Sequence, residues 1–169
     1  MKFFRCNYFT WQIPDHIQVW WNGDEPDWLA LSTTTGIEAI FNVTTGSLAQ
    51  KTTIENQFVM MVAKMNGYLA PMDEDYPDDI GLLVENGSLQ ISQHHLFRYG
   101  EGYALHIMLE GDFNEHDVEI FRSLLLLIEV DEESLRGAQP GKLTMSIASD
   151  VSFMSIGERR LLDIEWAHG

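Results

Sequence analysis

The residues of this chain that could do chemistry are six histidines, one cysteine and a dense run of carboxylates. His94 and His95 are adjacent in a strand-like stretch, so they point to opposite faces and cannot easily bind one ion together. His106, on the next strand-like stretch, could neighbour one of them across a sheet, which leaves a two-histidine patch with one acid as the sharpest metal or acid–base reading. His116 and Glu119 stand three apart on a helix. The carboxylate-bridged metal motif, however, reads Glu-x-x-His and occurs twice.

Asp73, Glu74, Asp75, Asp78 and Asp79 place five acids in seven residues. An EF-hand loop would want Gly at its sixth position and Glu at its twelfth, where this chain has Asp78 and Val84. Cys6 has no partner signalled nearby and reads as a small buried hydrophobe. There is no G-x-S-x-G elbow, P-loop or H-E-x-x-H, and Gly100-Glu101-Gly102 lacks the third glycine of a dinucleotide motif. The expectation is no catalytic residue, no metal and no cofactor, with a histidine–carboxylate or metal-dependent enzyme as an alternative.

Charge is more informative. Of a net -16, residues 73 to 133 hold sixteen acids and two bases, residues 1 to 72 six and four, and residues 134 to 169 four of each. Nucleic acid and anionic membrane surfaces are disfavoured as partners, because phosphate contacts need a basic face. A cationic protein fits the field better. No run approaches the roughly 20 apolar residues of a membrane span, and no apolar secretory segment opens the chain. With one cysteine, the expected compartment is the cytoplasm.

The positioning elements follow from periodicity. Met1 to Ile13 alternates weakly and predicts one strand ending at Pro14; Ile17 to Trp21, Trp28 to Thr33 and Ile37 to Val43 predict three more. Trp20 and Trp21 must face opposite ways, so one of them can be an exposed anchor beside Asp24, Glu25 and Asp27, taking Lys or Arg by charge and cation–π contact. Thr52 to Glu55 reads as a capping box that opens a helix with Ile54, Phe58, Met61, Val62 and Met65 on its core face.

Leu82 and Val84 lead to an Asn86-Gly87 turn. Beyond it Leu89, Ile91, His95, Phe97 and Tyr99 fall on one face, with Leu96 as the exception on the other. Gly100 to Gly102 turns into a third strand, Tyr103 to Leu109. This meander is expected to have one wet face. Asn114 caps a helix whose Val118, Phe121, Leu125 and Ile128 lie across the sheet. After Gly137 to Gly141, Leu143 to Ala148 and Leu162 to Trp166 predict two late strands with Val151 to Ile156 irregular between them.

The fold class is thus α+β, an antiparallel sheet of N-terminal strands and central meander packed by two helices. Residues 1–133 form one domain, and a C-terminal strand extension, 134–169, docks on the same domain. The aromatic strand into proline, Phe9-Thr10-Trp11-Gln12-Ile13-Pro14-Asp15, and the Gly102 to Ile128 pattern of last strand, acidic turn and helix resemble the PsbP-like family of small α+β domains. In bacteria that resemblance implies, among others, chaperones of secreted toxic effectors.

Two binding functions are expected. The first is an immunity-type inhibitor that neutralises a basic toxin or effector, steered by Asp73, Glu74, Asp75, Asp78 and Asp79 and anchored by Trp20 or Trp21. The second is a chaperone or adaptor for a secreted effector, which needs an apolar concavity along the sheet. The partner is another protein, and a homodimer remains open.

Overall fold

The computed structural model describes residues 1–65, 67–70, 74–86 and 89–163. The chain opens on a hairpin, β1 (Lys2–Arg5) and β2 (Phe9–Ile13), and not on one long strand. The turn at 6–8 contains no Gly or Pro; it is closed by the Cys6 N–H donating to the Phe9 carbonyl at 3.1 Å. Three antiparallel strands follow, β3 (Gln18–Asn22), β4 (Leu29–Ser32) and β5 (Glu38–Thr45). A 3₁₀ turn leads into α1 (Lys51–Lys64), then β6 (Gly67–Ala70), β7 (Ile80–Asn86), β8 (Leu89–Gly100) and β9 (Tyr103–Glu110). The last third holds α2 (Glu115–Leu126), β10 (Ile128–Val130), α3 (Glu132–Arg136), β11 (Gly141–Lys142), β12 (Phe153–Ile156) and β13 (Arg159–Leu162).

These strands make the α+β architecture that the periodicity predicts. The large sheet has the order β12-β13-β3-β4-β5-β9-β8-β7-β6, with β11 pairing to β5 off this path; β1, β2 and β10 form a second, small sheet. The expected meander is present, with Asn86 opposite Leu89 and Gly100 opposite Tyr103. Gly87, the second half of the expected turn dipeptide, lies outside the described residues, as do Asn66, Ile164 and Trp166.

The late segment differs from expectation. Residues 143–146 form no strand, whereas β12 falls where irregular chain was expected and pairs with β13 through Gly157-Glu158. Gly157 has φ 64° at the first turn position and Glu158 has no positive φ, the pattern of a tight type II′ hairpin. β13 then pairs antiparallel with β3, and Leu143, Met145, Val151 and Leu162 are buried in the main core.

That core lies on one side of the large sheet. Trp21, Leu31, Phe41, Leu96, Leu105 and Ile107 pack there against α2 and against the small sheet, whose Trp11 ring sits 4.7 Å from that of Phe41. α2 begins as expected: the Asp117 N–H donates to Asn114 Oδ1 at 3.0 Å and the Asn114 N–H to Asp117 Oδ2 at 2.9 Å, so two otherwise unpaired donors are satisfied. Its far end is held from β8, where Arg98 Nη1 donates to the carbonyls of Leu125 and Ile128, both at 2.8 Å.

Two expectations about faces are corrected. On β8 it is Leu96, the apparent exception, that enters the main core, while His95, Phe97 and Tyr99 face the other way. Here the sheet is covered on both sides: α1 lies over β6 and β7, and its Phe58 reaches the His95 ring at 4.5 Å. The helix itself is capped differently, with Gln50 at the N-cap and no side-chain capping bond, so Thr52 and Glu55 form no capping box. Its expected core face is also thinner. Ile54 is buried, but Met65 is 44% exposed and the neighbouring Met60 60%. No helix among the described residues is long and apolar enough to cross a membrane.

Candidate interaction surface

Opposite residues on antiparallel strands share a face, so the register determines what lies on the side of the sheet away from the main core. One cross-strand row there reads Met154, Leu161, Trp20, Ala30, Ile40, Met108, His95, Ile80, through eight consecutive strands from β12 to β7. Its two halves differ. His95 and Ile80 are buried on the side where α1 lies, whereas Met154 is 48% exposed and Leu161, Trp20, Ala30, Ile40 and Met108 are all partly exposed. Six apolar side chains on six adjoining strands thus form a stripe on an open sheet face.

Polar residues border the stripe. Gln18, Ser32 and Glu38 run along one side on β3 to β5, with Glu110 and Gln93 following on β9 and β8. Asn42 and His106 pair on the other side. At the outer end a cavity of about 500 Å³ opens between Met154, Leu161, Gln18 and Thr33, with Lys2 and Asp163 also in its wall.

Where α1 meets the sheet, the histidines take up fixed roles. His95 Nδ1 lies 2.8 Å from His106 Nε2, and His95 Nε2 lies 3.0 Å from Gln93 Oε1. Burial pushes His95 down to about 4, helped by the nearby His94, and pushes His106 down to about 3, helped by His95 and Lys142. Two neutral rings sharing one hydrogen bond inside an aromatic cluster form a satisfied polar layer. His94 points to the opposite face, as adjacency requires, and its Nε2 meets Asp79 Oδ2 at 2.9 Å. Among the described residues no group of three His, Cys, Asp or Glu side chains is placed to hold a metal ion. Burial raises the Cys6 thiol to about 11, so it is no nucleophile at neutral pH.

The expected partner-binding residues divide into two places. Trp20 lies in the open stripe, with the Arg159 guanidinium 4.5 Å from its ring, so a cation already occupies one face of the indole. Trp21 is 1% exposed in the core and cannot be an anchor. Asp24 pairs with Arg160 at 2.6 Å, Glu25 accepts from the Ser146 hydroxyl at 3.3 Å, and Asp27 is exposed.

The acidic loop lies beside β7, five strand spacings or about 24 Å from β3. Glu74 and Asp75 are exposed there, and Asp78 accepts from Lys51 at 2.8 Å. Asp79 is not a steering charge: it is 7% exposed and takes a bidentate pair from Arg122 at 3.0 and 2.7 Å. Tyr76 lies under that guanidinium at 3.5 Å. Asp73 is outside the described residues.

The stripe is the feature that sequence reasoning missed. Its signal was present in Ile40, an apolar residue on the outer face of an alternating strand, and in Ile156-Gly157-Glu158-Arg159, a recognisable hairpin turn. No family model matches the chain, and no curated protein matches it.

Proposed function

We propose that this is a cytoplasmic, non-catalytic protein-binding protein, a chaperone or adaptor that takes an apolar segment of its partner along the open sheet face. The observation that carries this reading is the stripe from Met154 to Met108, which stays partly exposed on six adjoining strands of a well-packed domain. Contiguous apolar surface bordered by polar residues marks binding sites in soluble proteins. Glu38 and Glu110 on its border favour a segment flanked by Lys or Arg, and the hydrogen bond between the buried His95 and the half-buried His106 supports a structural role for these two histidines. The PsbP-like resemblance, which includes effector chaperones, accords with it.

The acidity supports a second reading, an immunity-type inhibitor that occludes a basic toxin. Many basic side chains are engaged inside the molecule: Lys2 with the Asp15 and Ile17 carbonyls, Arg98 with α2, Arg122 with Asp79. Exposed carboxylates such as Glu74, Glu129, Glu132 and Glu133 then set the surface field. Low-salt capture from the native host lysate, eluted with a salt gradient, separates the two. An apolar effector that resists salt supports the chaperone. A basic protein released at moderate salt, where the screening length falls below about 10 Å, supports the inhibitor and counts against the stripe.

A further inference from the structure

β12 ends the large sheet, and among the described residues its outer edge pairs with nothing. The hairpin register shows which backbone groups that edge presents. The two-residue turn closes on Ile156 and Arg159, and in such a hairpin the closing pair exchanges both hydrogen bonds. Hydrogen-bonded pairs then recur every second residue, at Met154 with Leu161; the Asp163 N–H donating to the Ser152 carbonyl at 2.9 Å confirms the phase. Phe153 and Ser155 therefore turn their N–H and C=O groups outward.

An edge of this kind is normally protected by Lys, Pro or a bulge. Phe-Met-Ser-Ile has none of these, and Phe153, Met154 and Ile156 are 38%, 48% and 52% exposed. We propose that β12 pairs antiparallel with β12 of a second copy of this chain, about a two-fold axis through Met154. In that register Phe153 and Ser155 of one copy form hydrogen-bonded pairs with Ser155 and Phe153 of the other. Met154 meets the second copy's Met154 in the closer, non-hydrogen-bonded position. Both outward donors and acceptors are satisfied, and the two open stripes join across the axis on one side of a continuous sheet.

Charge selects this edge for self-association. Two molecules of net charge -16 repel each other over most of their surface, but residues 134 to 169 carry four acids and four bases and β12 itself is uncharged. The opposite edge strand, β6, is followed along the chain by the acid-rich stretch 73–79, whereas the chain on either side of β12 has no such run.

Sedimentation of the full chain over a concentration series is expected to show a reversible dimer. Ser155→Pro removes an N–H that makes no bond within the hairpin, so the melting temperature holds while dimer dissociation becomes easier by roughly tenfold or more, both copies losing a donor at once. Under mild oxidation Met154→Cys links to itself, since the Cα separation of a non-hydrogen-bonded pair is within disulfide reach, and Ser155→Cys does not. A monomer throughout, up to about 0.1 mM, overturns the proposal. So does a dimer indifferent to Ser155→Pro, or equal cross-linking of the two cysteine variants. A strand of another protein captured at this edge by a chain that stays monomeric alone also overturns it.

Discussion

The rings of His95 and His106 lie edge to edge with centroids 5.0 Å apart and planes 6° from parallel, joined by a 2.8 Å contact between Nδ1 and Nε2. Only one of the two nitrogens can carry the shared proton while both rings stay neutral. The arrangement closes the open stripe at its inner end, because Phe58 of α1 packs on His95 and the His106 ring stacks on Phe97 at 4.4 Å.

That pair makes stability pH-dependent in a window of its own. The folded values, about 4 and about 3, lie below the ordinary 6.5, so the unfolded chain binds protons that the folded chain refuses. The contribution is complete above the unfolded value and is lost as pH falls from 6.5 through about 4 for His95 and on to about 3 for His106, on the order of a few kcal/mol for the pair. Urea midpoints are expected to hold between pH 7.5 and about 6.5 and to fall progressively from there to about pH 4.5. In the double variant His95→Phe, His106→Phe that slope flattens; an unchanged slope would mean that other groups titrate.

Asp79 answers in a lower window. Burial pushes its carboxyl up, but hydrogen bonds from His94 and Arg122 and the Arg122 charge outweigh burial and hold it below the ordinary value. Its stabilisation is present above the unfolded carboxylate range and disappears only as pH falls through the folded value, below about 4. Asp79→Ala strands a partly buried guanidinium and is expected to cost about 3 kcal/mol at neutral pH. Asp78→Ala, which removes an exposed pair with Lys51, should be nearly silent in the same denaturation experiment.

Gly100 and Gly102 flank Glu101 in one turn and should respond differently to alanine. A Cβ on Gly100 would fall 2.0 Å from the Tyr103 ring, which is 4% exposed and cannot yield easily. Gly102 has open space but φ 78°. Thermal melts are expected to show a loss of about 2–3 kcal/mol for Gly100→Ala through overpacking. Gly102→Ala should lose about 1 kcal/mol through backbone strain. The reverse order would mean that Tyr103 can swing clear.

The legible parts of this fold are those written in local signals. Asn114 with Asp117 marks the start of α2, and the turn at Gly100 to Gly102 together with alternation on β9 delimits the meander. What escaped depends on contacts between distant segments. Leu96 reads as an exception until α1 is known to cover the His95 face, and the stripe extends to Leu161 and Met154 only because β13 pairs with β3, residues about 140 positions apart. The expected anchor was half legible: adjacency requires Trp20 and Trp21 to diverge, but only packing of Phe4 and Phe153 on Trp21 decides which is buried.

The most direct test of the open-face reading compares lysate captures by the wild-type chain and by Ile40→Thr, Met108→Thr. Threonine preserves strand propensity while removing apolar surface from the middle of the stripe, so the melting temperature should change by only a few degrees. The wild type is expected to hold a salt-resistant partner that the double variant loses by roughly tenfold or more. Retention of the same partner by the double variant, at the same salt, would contradict it.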